Sequence, residues 1–172
     1  MSCLLKALFC FNGLSLLSCP LQIPHNVKST YIDITILSTG SVSPKTLFPA
    51  VAAAESRFKV DAKSPAGAYG TFQIMPITER HVNQRYGLSL DRTIPIDNLM
   101  LGVIYLEEMY SMAGGDINRA LAMYNWGPTI FARWEGRNGI LSPSNMIFLP
   151  TETYNYIKRV NRYITLTQTC EQ

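Results

Sequence analysis

The chain has 172 residues, 47% hydrophobic and 16% charged, enough for one domain with a sizeable core and a separate front segment. That balance excludes a disordered chain. A formal net charge of +3, carried on dispersed basic residues, gives no ground for a nucleic-acid partner, although a weakly positive surface assists approach to an anionic polymer.

From Met1 to Cys19 a single basic residue, Lys6, precedes an apolar run broken at Asn12-Gly13. This is the layout of an export signal, and it is too short to span a membrane, which takes about 20 apolar residues. Leu16-Leu17-Ser18-Cys19 is similar to the lipobox of bacterial lipoproteins, so acylation at Cys19 is one alternative and a retained extension another. Residues 20–43 hold prolines, serines and threonines around a β-favouring run, Tyr31–Leu37, and read as a linker with at most one short strand. Residues 44–172 form the main domain. Cys3, Cys10 and Cys19 lie in the front segment and Cys170 near the end, so no pair brackets the body and no disulfide framework is expected. Neither His25 nor His81 has a Cys or His at ligand spacing, and no metal site is expected.

After Pro44 the pattern becomes helical. Thr46–Phe58 carries Leu47, Val51 and Ala54 on one face, among alanines that favour helix. Pro76–Tyr86 opens with a proline where a helix tolerates one and stops before Gly87. Asp97 is the expected N-cap of Asn98–Ala113, which Gly114-Gly115 ends. Asp116 caps Ile117–Asn125, closed by Gly127-Pro128. Thr151 opens a last helix to about Thr165, with Lys158, Arg159 and Arg162 on a solvated face. The expected fold is mainly α, with little or no β structure.

Four segments in this body carry residues suited to chemistry. Glu55-Ser56-Arg57-Phe58 ends the alanine-rich helix, where small residues leave room for a ligand. Alone, a helical glutamate is a solvated surface residue. Ser64-Pro65-Ala66-Gly67-Ala68-Tyr69-Gly70-Thr71-Phe72-Gln73-Ile74-Met75-Pro76 describes a tight loop in which backbone passes close to a neighbour. Ala122-Met123-Tyr124-Asn125-Trp126-Gly127-Pro128 sets an aromatic residue and an amide at a helix end, and Thr151–Val160 is a capped helix.

In this order the four segments resemble the lytic transglycosylase domain of the soluble-type family, which shares the lysozyme fold. That family shows Glu-Ser-x-Phe, then Ser-x-x-Gly-x-x-Gly-Leu-Met-Gln-x-Met-Pro, then Ala-Tyr-Asn-x-Gly-Pro, then Glu-Thr-x-x-Tyr. The match runs from about Leu47 to Tyr163. The resemblance implies that Glu55 is the catalytic acid, and that Ser64, Gln73, Tyr124 and Asn125 line the cleft beside it, Tyr124 closest. It implies an apolar wall at Met75, and a far side shaped by Glu152 and Tyr156. Thr71-Phe72 in place of Leu-Met, Met123 in place of a small residue and Trp126 in place of alanine are departures that bear on the sugar subsites.

The activity so implied is non-hydrolytic cleavage of the β-1,4 bond between N-acetylmuramic acid and N-acetylglucosamine in peptidoglycan. Most glycosidases set a second carboxylate across the bond. Here none is embedded in a motif beside Glu55, and Asp61 precedes the loop and is expected to be exposed. The transglycosylase route instead uses the C6 hydroxyl of the muramic acid as internal nucleophile, closing a 1,6-anhydro ring. Phe72, Met75 and Tyr124 are candidates for the apolar surroundings that would keep Glu55 protonated. A lysozyme-like hydrolase and a non-catalytic wall-binding adaptor are the competing readings. No cofactor is implied. The expected setting is the periplasm or cell envelope, in service of a secretion, conjugation or pilus machine, or else a phage virion.

Overall fold

The computed structural model describes residues 44–168. The expected export signal and linker, with Cys3, Cys10, Cys19, His25 and the Tyr31–Leu37 run, lie outside these residues, as does Cys170. The elements are α1 (Pro44–Ser56), α2 (Pro76–Tyr86), α3 (Pro95–Met112), α4 (Ile117–Trp126), α5 (Pro128–Asn138), a 3-10 turn (Met146–Phe148) and α6 (Thr151–Gln168). Among the described residues β structure is confined to two isolated antiparallel bridges, Lys63 with Tyr69 and Tyr69 with Ile74. The fold is therefore mainly α, as its helical periodicity predicts. No helix among the described residues is long and apolar enough to cross a membrane.

Local chemistry accounts for most of the boundaries. Gly87 ends α2 in the left-handed region at φ 64°, its N–H donating to the Asn83 carbonyl. The Asp116 carboxylate caps α4 by accepting the Arg119 N–H at 2.9 Å. Two expectations need correction. Helix α3 begins at Pro95, a turn earlier than an Asp97 cap would allow, because proline fits the first helical position; Asp97 instead accepts the Asp91 N–H at 2.9 Å. Helix α5 is the second difference: in the sequence Gly127-Pro128 marks only a stop. Gly127, at φ 90°, ends α4 and lets the chain turn straight into a helix whose first residue is Pro128.

Helix α4 is the hub, packing against α3, α5 and α6, while α1 lies along α6 and α2 along α3. Ala120, Leu121, Ala122 and Met123 of α4 are buried, and two alanines in that row let neighbouring helices approach closely. The core gathers Leu47 and Val51 of α1, Leu101, Leu106 and Met109 of α3, Phe131 of α5, and Tyr156, Ile157 and Val160 of α6. The α1–α6 contact matters most for function, since it brings together segments a hundred residues apart.

Candidate active site

Glu55 stands in the last turn of α1. The helix ends abruptly after it. Arg57 and Phe58 both take positive φ, 55° and 64°, and the Phe58 N–H reaches back to the Ala52 carbonyl at 3.4 Å. A left-handed conformation costs a residue with a Cβ about 1–2 kcal/mol, so neighbouring contacts must hold this turn. One is visible: the Ser56 hydroxyl donates to the Thr71 carbonyl at 2.9 Å, tying the end of α1 to the loop before α2.

That loop is organised by its own backbone. Tyr69 and Ile74 exchange two N–H···O bonds, at 3.1 and 2.9 Å, and the Gly70 N–H donates to the Ala62 carbonyl at 2.8 Å. Gln73 takes positive φ, 48°, and its side-chain amide donates to the Gly70 and Ala62 carbonyls at 2.9 and 3.2 Å. With Arg57 and Phe58 it completes the set of non-glycine positive-φ residues among those described, and all three flank Glu55 in the chain or in the loop bound to its neighbour. The Ser64 hydroxyl accepts the Ala68 N–H at 2.9 Å, fastening the loop's outer turn.

Two further helices complete the site. The Tyr124 hydroxyl at the end of α4 donates to the Phe72 carbonyl at 2.9 Å, and its ring tilts against Tyr105 of α3 at 5.3 Å. Tyr124 senses the charge of Glu55: burial, and then that carboxylate, push its phenol well above the ordinary range. From α6 the Tyr156 hydroxyl faces Glu55. It is wholly buried, and its interaction with the carboxyl falls short of full hydrogen-bond geometry, so among the described residues it has no close partner. Arg159, one turn along, covers the Tyr156 ring at 5.7 Å.

These surroundings set the acidity of Glu55. Burial raises its pKa from 4.5 to about 7. The Tyr156 phenol draws it down, Arg159 does so less, and the Glu152 carboxylate gives the smallest influence, a push upward. At neutral pH the carboxyl is thus divided between its acid and base forms, as one group serving both roles requires.

The structure brings Glu55, Tyr124, Tyr156 and Glu152 into electrostatic contact. Gln73 and Ser64 belong to the neighbouring loop, where the N–H groups of one and the hydroxyl of the other serve the backbone. Met75 is half-buried at the start of α2, and Asn125 is half-buried beside Tyr124. Asp61 is exposed, as are Lys158, Arg159 and Arg162. Two residues of the site carry little mark in the sequence. Arg159 belongs by pattern to a solvated face, and only its spacing of three from Tyr156 signals more. Asn98 stands in the sequence only as the first residue of a helix. It is buried, and its side chain accepts the Phe72 N–H at 3.0 Å while donating to the Tyr69 and Arg92 carbonyls at 2.8 and 2.9 Å. Among the described residues no group of three or more His, Cys, Asp or Glu could hold a metal ion.

Residues 35–147 match the family model of the Transglycosylase SLT domain. The chain is 31% identical over 137 residues to the soluble lytic murein transglycosylase of Escherichia coli (strain K12), covering 73% of this chain and 21% of that protein. It is 33% identical over 122 residues to the soluble lytic murein transglycosylase of Salmonella typhimurium, covering 66% of this chain and 19% of that protein. It thus spans about a fifth of the length of these relatives. Among solved structures, the 70 kDa soluble lytic transglycosylase of Escherichia coli superposes with a TM-score of 0.70 at 27% identity, over 80% of this chain and 24% of that one. An inactive Glu-to-Gln mutant of the lytic transglycosylase Slt of Pseudomonas aeruginosa superposes with a TM-score of 0.64 at 26% identity, over 73% of this chain and 21% of that one. With its family model matched over well more than half its length and its helices arranged as in these enzymes, the chain belongs to the Transglycosylase SLT domain family.

Proposed function

We propose that this domain is a peptidoglycan lytic transglycosylase in which Glu55 acts as acid and then as base. The observation that carries the reading is the Glu55 carboxyl, held at a pKa of about 7 by burial and faced by an unsatisfied Tyr156 hydroxyl. In its protonated form Glu55 gives a proton to the glycosidic oxygen as the bond from muramic acid C1 breaks. The resulting carboxylate then takes the proton of the C6 hydroxyl as that oxygen bonds to C1, closing the 1,6-anhydro ring and restoring the acid. Proton transfer of this kind contributes about 10²–10⁴ in rate. A nucleophile already attached to the substrate adds to it through proximity. Tyr156 and Arg159 stabilise the charged form of Glu55 in the interval between the two transfers.

A hydrolytic reading draws on one observation: Glu152 is a second carboxylate whose charge reaches Glu55. It is exposed, and its influence on Glu55 is the smallest of the four, which favours the internal nucleophile. Peptidoglycan strands are the proposed substrate and the periplasm or cell envelope the proposed site of action, in keeping with relatives named as murein transglycosylases. A local role beside a secretion, conjugation or pilus machine, or in a phage, belongs to the same proposal.

Mass spectrometry of fragments released from purified peptidoglycan tests the reading. Products one water lighter than hydrolytic fragments, absent with Glu55→Gln, are expected. Ordinary reducing ends, lost in Glu152→Gln, would replace it with the hydrolytic reading. Wall binding without release would make the domain an adaptor.

A further inference from the structure

The loop that borders Glu55 is held from three directions. Ser56, the neighbour of Glu55, grips the Thr71 carbonyl, and Tyr124 grips the Phe72 carbonyl. The third hold comes from Asn98, whose side chain bonds backbone groups of the loop and of the turn before α3. Its amide is matched group for group. The oxygen accepts the Phe72 N–H, and the two N–H groups are divided between the Tyr69 carbonyl in the loop and the Arg92 carbonyl ahead of α3. No aliphatic side chain can answer one donor and two acceptors in so small a space. Asn98 lies 26 and 29 residues from its loop partners, so it ties α3 to the loop rather than shaping a local turn. Fit enforces the hold as well. A Cβ on Gly70, at φ 77°, would overlap the Asn98 amide, and one on Gly102 of α3 would overlap the Phe72 ring. Two glycines thus let the loop seat against α3, and one polar side chain locks it there.

We propose that Asn98 is a positioning residue for the transglycosylase reaction, fixing the Tyr69–Phe72 loop so that Phe72 anchors Tyr124 and the loop excludes water from Glu55. The inference rests on the functional reading above for its kinetic part only. The hold on the loop consists of the protein's own hydrogen bonds. Because Asn98 acts through the loop, its loss frees the loop and the Tyr124 anchor on Phe72, and leaves the groups of α6 that act on the Glu55 carboxyl, Glu152, Tyr156 and Arg159, in place. With water admitted, the burial that keeps Glu55 protonated weakens.

The test is NMR titration of the Glu55 carboxyl in the full chain, assigned with Glu55→Gln. It compares wild type, Asn98→Ala, Gly70→Ala and Val82→Ala. Val82 is buried in α2, so its truncation is a destabilising control that removes none of the hydrogen bonds holding the loop. Gly70→Ala displaces the same amide from the loop side and serves if Asn98→Ala does not fold. In the Asn98 or Gly70 variant the Glu55 pKa should fall by about one unit or more, and in Val82→Ala it should stay. On soluble glycan strands kcat should drop about a hundredfold in the same variants, with KM changing less than about threefold. A folded Asn98→Ala or Gly70→Ala in which Glu55 titrates as in wild type overturns the proposal, as does an equal fall in Val82→Ala. The titration needs no substrate, so a wild type that releases no anhydro products would defeat the functional reading alone.

Discussion

The Tyr156 hydroxyl faces the Glu55 carboxyl from a fully buried position and, among the described residues, makes no complete hydrogen bond. An unsatisfied buried hydroxyl costs about 1–3 kcal/mol, so this contact favours function over stability.

Removing that hydroxyl should therefore affect acidity without weakening the fold. Tyr156 lowers the proton affinity of Glu55, so in Tyr156→Phe the Glu55 pKa is expected to rise above its present value of about 7. The basic limb of the pH–rate profile should move to higher pH with it. In acid, where Glu55 is neutral with or without the hydroxyl, the melting temperature should hold or increase, because the orphaned polar atom is gone. A basic limb that moves down, or a large loss of stability in acid, would contradict this account.

Glu55 should also make stability depend on pH in a defined direction. Its folded-state pKa, about 7, lies above its ordinary value of 4.5. The neutral carboxyl's contribution is thus fully present below about pH 4.5 and is lost as pH rises through about 7. At about 1.4 kcal/mol per unit the loss is about 3 kcal/mol. Glu55→Gln is neutral throughout, so its unfolding free energy relative to wild type should improve by about that amount between pH 4 and pH 8. Denaturant unfolding at several pH values measures it, and a constant difference would mean that Glu55 is not buried as an acid.

A second pH effect, of opposite sign, comes from the fork between α4 and α5. Arg119 donates from Nε and Nη2 to the two Glu135 oxygens, each at 2.8 Å, and from Nη1 to the Ala113 carbonyl at 2.8 Å. The hydrogen bonds from Arg119 hold the Glu135 pKa below its ordinary 4.5, so this stabilisation exists above that value and is lost on acidification. Arg119→Ala leaves a largely buried carboxylate without its partner and should cost about 2–4 kcal/mol near neutrality, less in acid. Thermal melts at pH 7 and pH 4 check both statements.

Two glycines on helices should respond in opposite ways to the same change. In Gly102→Ala the new methyl would overlap Phe72, costing about 1–3 kcal/mol and disturbing the loop whose carbonyl Tyr124 grips. Gly136→Ala, in α5, meets nothing within 4 Å and should stabilise by about 0.5–1 kcal/mol through helix preference alone. Melting temperatures and release rates from peptidoglycan distinguish the two; equal effects would remove the packing argument.

Much of this domain is determined by sequence alone. Its helices show as apolar positions recurring at helical spacing, and most of their ends are marked by residues acting within a few positions: Gly87 after α2, Asp116 before α4, Thr151 at the start of α6. Glu55 is marked by its setting, at the end of an alanine-rich helix and ahead of the glycine loop. Each such signal acts over one or two turns, so a short stretch of chain carries it whole. The hidden helix α5 shows the limit of this local reading: a glycine and a proline that stop one helix are equally suited to begin the next.

Tertiary structure alone decided what Glu55 can do. Its acidity depends on burial and on α6, whose Tyr156 and Arg159 lie about a hundred residues further along, while the loop tied to its neighbour Ser56 is fastened by Asn98 from α3. Neither partnership leaves a periodic trace. A lone asparagine in a helix reads the same whether its amide meets water or three backbone groups, and an arginine on an exposed face reads the same whether or not it lies near a buried acid. Desolvation and charge interactions depend on distance in space, and only packing α1 against α6 and the loop against α3 set those distances.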